Sequence, residues 1–364
     1  MSTYQVFWPI IRCLPPEFAH KAALALLRLP LRWNDAVLDP FEWNGFRCRN
    51  RVGIAAGFDK NAAVVPGVER LGAGFVEVGT ILVEPWPGNQ VSPRMRRLVT
   101  QRAIWNRLGF TSDGVLQVKR NLGPVSRHSL GGMVVLCNIG PHPGRLRQAG
   151  DPLAATRDDL LQLVEALLPF ADAFVVNLSS PNTRGLRSLL QSDRLNDVVM
   201  RPLVERLRQA EAAEGQGRRR PLLLKLPPED ADRRPWARDD LARVICPLIE
   251  PSWCDGLVAV NTSSRLATEL VSFPPADLPG GISGEPLRPE ALRVVSLVRK
   301  LVGPKPLLIG CGGMMQPSDA ISFLDAGADL VETYTGMVYG GPGLIVECAR
   351  AIRDHRPRAR LEPA

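Results

Sequence analysis

Val175 to Arg187 reads VVNLSSPNTRGLR. The apolar run Ala173-Phe174-Val175-Val176 stops at Asn177 and gives way to Ser179, Ser180, Pro181, Asn182, Thr183 and Gly185. That is the pattern of a buried strand emptying into a polar loop. Turn chemistry needs only one or two Gly, Pro or Asn. The surplus amides and hydroxyls, with Arg187, therefore read as arranged to face a ligand. The plainer alternative is a surface loop whose Asn and Ser satisfy only backbone groups.

The same strand-then-polar pattern recurs along the chain. Apolar runs at Val52 to Ala56, Gly74 to Gly79, Met133 to Asn138, Ala173 to Asn177, Pro221 to Leu226, Gly256 to Asn261, Leu307 to Cys311 and Leu330 to Thr333 alternate with amphipathic stretches. Helices are expected at Asp159 to Phe170, Leu189 to Ala213, Pro289 to Leu301, Pro317 to Ala326 and Leu344 to Arg353. Alternation of this kind builds a parallel α/β sheet, and the strand count matches a closed (β/α)8 TIM barrel. The carboxyl ends carry Asp59-Lys60-Asn61, Thr80, Asn138, Asn177 with Ser180, Lys225, Asn261-Thr262, Gly312-Gly313 and Tyr334-Thr335. Barrel active sites lie at that face. Lys225 stands out because it interrupts the run Leu222-Leu223-Leu224. A buried ammonium needs an anion or an electron-rich partner, so a ligand contact is favoured over snorkelling to solvent.

The glycines from Gly310 to Gly313, and the Tyr334-Thr335-Gly336 step, suit a phosphate approached by backbone N–H groups. Leu82 to Gly132 is too long for an ordinary βα connection and reads as a lid or substrate-positioning insertion, with Asn106 and Phe110 as its ligand candidates.

Composition narrows the class. The chain has 364 residues, 45% of them hydrophobic and 23% charged, so it can bury a large core. The net charge of +8, with local clusters such as Arg218-Arg219-Arg220, suits anionic lipid or a phosphorylated ligand, whereas the basic tail from Arg353 to Ala364 is explained by solvation. Nucleic acid is disfavoured, because no recognition motif accompanies the charge. Seven scattered cysteines without CxxC spacing argue for a reducing compartment. With four histidines, none at ligand spacing, no metal site is expected.

Tyr4 to Leu29 is apolar and aromatic but broken by Pro9 and Pro15-Pro16 and punctuated by charge. It is neither a spanning helix nor an export signal. Two short amphipathic helices split at Pro15-Pro16 are expected, either packed on the main body or dipping into a membrane surface.

Taken together, the motifs AAGFDKNA from Ala55, EVGT from Glu77, NRLGF from Asn106, NIG from Asn138, VNLSSPNTRGLR from Val176, LKLPPED from Leu224, VNTSS from Val260, GGISGEPL from Gly280, IGCGGM from Ile309 and YTGMVYGGP from Tyr334 resemble the dihydroorotate dehydrogenase family. The resemblance is to its quinone-dependent, FMN-containing class 2. It implies oxidation of dihydroorotate to orotate in pyrimidine synthesis, with Ser180 taking the C5 proton and the hydride passing to flavin N5. It implies that FMN is held by Ala56, Gly57, Phe58, Asp59, Lys60, Thr80, Asn138, Asn177, Lys225, Val260, Gly284, Gly313, Tyr334 and Thr335. Dihydroorotate is then surrounded by Lys60, Asn106, Arg107, Leu108, Gly109, Phe110, Asn177, Asn182, Asn261 and Thr262.

Thr183 and Phe110 are implied as a proton relay, and His20 and Arg97 as lining a quinone tunnel. Residues 1–40 would form the membrane and tunnel segment, and residues 41–364 the barrel. The expected protein is a monomer on the cytoplasmic side of the inner membrane, bound peripherally through its N-terminal helices. The chain departs from the family's usual pattern at Arg96, Thr111-Ser112-Asp113, Pro141, Val260 and at Glu332, where the family often has Gln. A flavin-binding relative without turnover, and a soluble class 1-like enzyme with another acceptor, are the competing readings.

Overall fold

Strands that alternate inward and outward must fill a barrel from within and coat it from without, and both demands are met here. A computed structural model describes residues 3–215, 219–272 and 278–355. Arg218 and the end of the basic tail lie outside the described residues. The barrel strands are β1 (Val52–Ile54), β2 (Phe75–Ile81), β3 (Val134–Ile139), β4 (Ala173–Asn177), β5 (Leu222–Leu226), β6 (Gly256–Ala259), β7 (Leu307–Cys311) and β8 (Leu330–Thr333). They pair in chain order, all parallel, and β8 closes on β1. The expected (β/α)8 barrel is thus formed; β1 and β6 are two residues shorter than expected, and β2 runs on to Ile81.

Inward-facing residues divide the barrel by height. Its amino-terminal half is filled by Phe75, Leu136, Val175, Leu223, Val258, Ile309 and Leu330, and a hairpin of Phe41–Trp43 with Phe46–Cys48 plugs that end with Phe41 and Phe46. Two residues further along the strands the inward positions are Glu77, Asn138, Asn177, Lys225 and Glu332, all buried. The period of two places a polar layer directly above an apolar one. Outward residues such as Val76, Val135, Phe174 and Leu224 join the helices in the main core.

The helical layer departs from expectation in two places. The helix foreseen from Leu189 to Ala213 is three pieces: Leu186–Leu190, a π turn at Asn196–Met200, and Arg201–Glu214, whose Pro202 sits in the first turn. The helix foreseen from Asp159 begins at Pro152, because the Asp151 carboxylate caps it by accepting from the Leu153 and Ala154 N–H groups.

The long insertion contains a hairpin, Met95–Leu98 with Ala103–Asn106, and the helix Val115–Leu122. Gly281–Gly284 adds antiparallel to that hairpin, so a small sheet roofs the carboxyl end of the barrel. Ahead of the barrel lie α1 (Thr3–Ile11) and α2 (Pro16–Arg28), divided at the prolines with Pro16 in the first turn of α2. Tyr4 Oη donates to Val338 O, and Trp8 packs on Tyr339. Arg94 bridges to Glu17 at 2.5 Å, and Arg97 donates to Leu14 O at 2.6 Å. No described helix is long and apolar enough to cross a membrane.

Candidate active site

The polar layer opens into a cavity of about 1080 Å³, counted to its mouth, between the strand ends and the small roof sheet. Its wall brings together residues from seven of the eight strand ends: Ala56, Gly57 and Lys60 after β1, Thr80 on β2, Asn177 on β4 with Ser180 and Asn182 after it, and Lys225 on β5. Val260, Asn261 and Thr262 follow β6, Gly313 follows β7, and Tyr334 and Thr335 follow β8. The roof contributes Asn106, Leu108, Gly109, Phe110 and Gly284.

The floor is electrostatically built. Lys225 Nζ donates to Glu77 Oε2 at 2.6 Å and stands 3.7 Å from Glu332 Oε2. Asn138 Nδ2 donates to the other Glu77 oxygen. Burial opposes the Lys225 charge, but the Glu77 carboxylate beside it outweighs that cost and raises its pKa above the ordinary lysine range. For Glu77, burial is likewise outweighed, by Lys225 and the hydrogen bonds, and its carboxyl stays below its usual value. The Lys225 interruption of β5 is therefore met from inside the protein as well as by facing the cavity.

Above the floor, each amide is oriented by another. Asn177 Nδ2 donates to Thr80 Oγ1 at 3.0 Å, and Asn177 Oδ1 accepts from Ser179 Oγ at 2.9 Å. Asn261 Nδ2 donates to Ser179 Oγ at 2.9 Å, and Asn182 Nδ2 donates to Asn106 Oδ1 at 3.0 Å. Geometry separates the two serines: Ser179 is wholly buried between Asn177 and Asn261, whereas Ser180 reaches the cavity wall. Ser180 Oγ accepts from Asn182 N at 3.2 Å, which leaves its own proton uncommitted to that bond. Thr183 Oγ1 and Asn182 Oδ1 are buried without a hydrogen-bond partner.

Arg187 faces away from the cavity, contrary to the reading that the loop's polar surplus faces a ligand. It is buried and donates to Ser179 O, Glu229 Oε1, Ser264 Oγ and Thr262 O. Glu229 in turn accepts from Ser263 Oγ and from the Ser264 N–H. One ion pair thus joins the loops after β4, β5 and β6.

At the opposite end, Gly313 has φ +85°, and a Cβ there would lie 2.7 Å from Arg288 N. Only glycine allows the chain to pass so close. Thr335 Oγ1 donates to Ser283 Oγ at 2.8 Å beside Gly284. In the roof, Gly109 and Phe110 both have positive φ, at +72° and +59°.

Other residues of the expected site lie off the wall. Arg107 donates to Pro93 O and Ser92 O and stacks on Trp105, so it holds the roof rather than facing the cavity. Asp59 accepts from the Ala63 and Val64 N–H groups and fixes the loop after β1. Asn138 sits in the floor, and Phe58 packs between His20 and Tyr334. Arg97 ties the turn between α1 and α2 to the roof hairpin. Burial first, then the Lys60 charge, pushes His20 down to about 4, so its ring is neutral near pH 7. Glu77, Ser283 and Cys311 had no role assigned from sequence. For Glu77 the signal was its place two residues beyond Phe75, in the inward register.

The family model described as dihydroorotate dehydrogenase matches residues 41–355. A protein of Acidovorax sp. (strain JS42) named dihydroorotate dehydrogenase (quinone) is 39% identical, covering 93% of this chain and 95% of its own. One of the same name from Paracidovorax citrulli is 37% identical over 96% and 97%. Among solved structures, DHODH from Eimeria tenella in complex with ferulenol aligns with a TM-score of 0.78 at 31% identity, covering 93% of this chain and 90% of that one. By the length of that match, and by the fold it shares, the chain belongs to the dihydroorotate dehydrogenase family.

Proposed function

We propose that the protein oxidises dihydroorotate to orotate for pyrimidine synthesis, with FMN in the barrel cavity and a membrane quinone as final acceptor. The observation that carries this reading is the convergence of Ser180, Asn106, Asn182, Asn261 and Lys60 on one cavity wall above the Lys225 floor.

The donor set fits FMN. Thr80, Asn177 and Lys225 offer hydrogen-bond groups at depth for a heterocycle edge, and the close-packed glycines Gly284 and Gly313 leave room for backbone N–H groups to meet a phosphate. Bound there, FMN supplies a two-electron acceptor for hydride. The side-chain amides suit the imide and carboxylate edges of a pyrimidine, and Lys60 suits its carboxylate. Ser180 takes the C5 proton as general base. A hydroxyl is a weak base in isolation, so position and relay must compensate. The Asn182 N–H fixes Ser180 Oγ, and the Thr183 hydroxyl, buried without a partner three residues on, is the group to which the relay is assigned. Lys225 provides the positive charge that opposes accumulation of negative charge in the cavity.

Quinone is assigned to the side on which α2 places His20 against Phe58 and Tyr334. Val6, Phe7, Ile10, Phe18 and Leu26 of α1 and α2 are exposed, which supports peripheral insertion into a membrane, here the cytoplasmic side of the inner membrane. The same reading takes the protein as a monomer. The test is anaerobic: dihydroorotate should bleach the bound flavin, and quinone should restore its colour. A yellow protein that dihydroorotate never bleaches would reduce the chain to a flavin-binding relative.

A further inference from the structure

The barrel floor carries one more acid than its cation can neutralise. Glu77, Lys225 and Glu332 project inward from β2, β5 and β8, and all three are buried. Glu77 is fully engaged, accepting from Asn138 on one oxygen and from Lys225 on the other. Glu332 is not: no amide or ammonium donates to either of its buried oxygens, and the groups within hydrogen-bonding reach are the Glu77 carboxylate and the Cys311 thiol. Its contact with Lys225, at 3.7 Å, is too long for a hydrogen bond. Full ionisation would leave a net negative charge enclosed by protein. A group so placed takes up a proton instead. Cys311 is the other titratable neighbour, and burial holds its thiol far above the ordinary range, so it adds no charge.

We propose that Glu332 is a protonated carboxylic acid that keeps the floor of the cavity electrically neutral, and that loss of this proton sets the alkaline limit of flavin retention. The proposal rests on reading the cavity as an FMN site. Glu332 lines the same cavity as Lys225, so its ionisation places a second negative charge where an electron-rich ligand must sit. Burial, followed by the charge of Glu77, holds its carboxyl well above the carboxylate range. The sign follows. Below that pKa the floor is neutral and flavin is retained; as pH rises through it the floor becomes negative and flavin is released. Lys225 keeps its charge throughout, because its own pKa is raised.

The experiment incubates full-chain holoenzyme from neutral to alkaline pH and reads free FMN by its fluorescence. Wild type should release at least tenfold more flavin at the alkaline end than Glu332→Gln, with a one-proton profile. Identical profiles in the two proteins overturn the proposal. So does a tenfold gain in retention by the variant at neutral pH, which would mean that Glu332 is charged there.

An infrared titration tests the proton without flavin or turnover. A protonated-carboxyl band should be present in wild type at neutral pH, fade in alkali, and be missing from the variant. If the variant fails to fold, the wild-type titration alone decides, and absence of the band at neutral pH sinks the assignment. A protein that shows the band but binds no FMN at any pH overturns the flavin reading, and the retention limit with it.

Discussion

Ser180 and Ser179 are adjacent in sequence and opposite in use. Two serines in a row say nothing about which one faces a ligand, and the family resemblance was needed to choose Ser180. The structure supplies the physical reason: Ser179 is spent on Asn177 and Asn261. Ser180→Ala should therefore slow flavin reduction by at least about 100-fold, the usual cost of losing a general base. Stopped-flow reduction under anaerobic conditions reads it, and a near-normal rate would remove Ser180 from the mechanism. Ser179→Ala should instead weaken dihydroorotate binding, by releasing Asn177 and Asn261. Lys60 gives a pH prediction. Burial first, and the nearby Arg94 charge, bring its pKa down to about 8 against the opposing pull of Glu17 and Asp59. The cation proposed to meet the substrate carboxylate is thus present below about pH 8 and lost above it. KM for dihydroorotate should climb towards tenfold per pH unit beyond that point, as a single-proton loss requires. A KM that stays flat to pH 10 would mean that Lys60 does not bind the carboxylate as a cation.

Strands were more legible than helices, and the cause lies in periodicity. A buried barrel strand is a short apolar run whose polar end announces itself, as Asn177 and Lys225 do, and all eight such runs became strands. The stretch from Leu189 to Ala213 kept its apolar spacing across three separate elements, so periodicity alone ran them together. What divides them is Pro202 in a first turn and the π turn ahead of it. The strand Gly281–Gly284 was invisible for another reason: its pairing with Ala103–Asn106 spans a sequence separation that no local pattern reports. Arg187 shows the same limit, because its partner Glu229 lies on another loop. That pair holds three catalytic loops together and is nearly inaccessible to solvent. Removing one partner leaves the other charge buried and unpaired, a loss of about 3–5 kcal/mol. Arg187→Ala should lower stability by that order in urea unfolding. Arg187→Met with Glu229→Leu should recover part of the loss without recovering activity, since the loops would be packed but no longer hydrogen-bonded. Equal stability of Arg187→Ala and wild type would contradict the brace.

Exposed apolar side chains gather on the amino-terminal segment, which also carries Arg12, Lys21 and Arg28 against the single acid Glu17. The chain carries a net +8, and α1 and α2 present Val6, Phe7, Ile10, Phe18 and Leu26 to solvent, with Leu29, Leu31 and Trp33 following. An interfacial helix binds through buried apolar area plus attraction to anionic lipid. The two contributions separate experimentally, because salt screens the second and leaves the first. Full-length protein should sediment with vesicles containing anionic lipid, and high salt should weaken the binding without abolishing it. Phe7→Ser with Phe18→Ser should weaken it at every salt concentration. The same helices adjoin the cavity wall through His20, Phe58 and Tyr334, so the proposed membrane binding and quinone reduction would share one structure. Deleting residues 1–29 should then abolish both vesicle binding and quinone reduction, while dihydroorotate still bleaches the flavin in the barrel. Loss of bleaching would mean that the helices are part of the barrel's stability rather than an acceptor device. Retained quinone reduction in the truncated protein would move the acceptor's approach to another face.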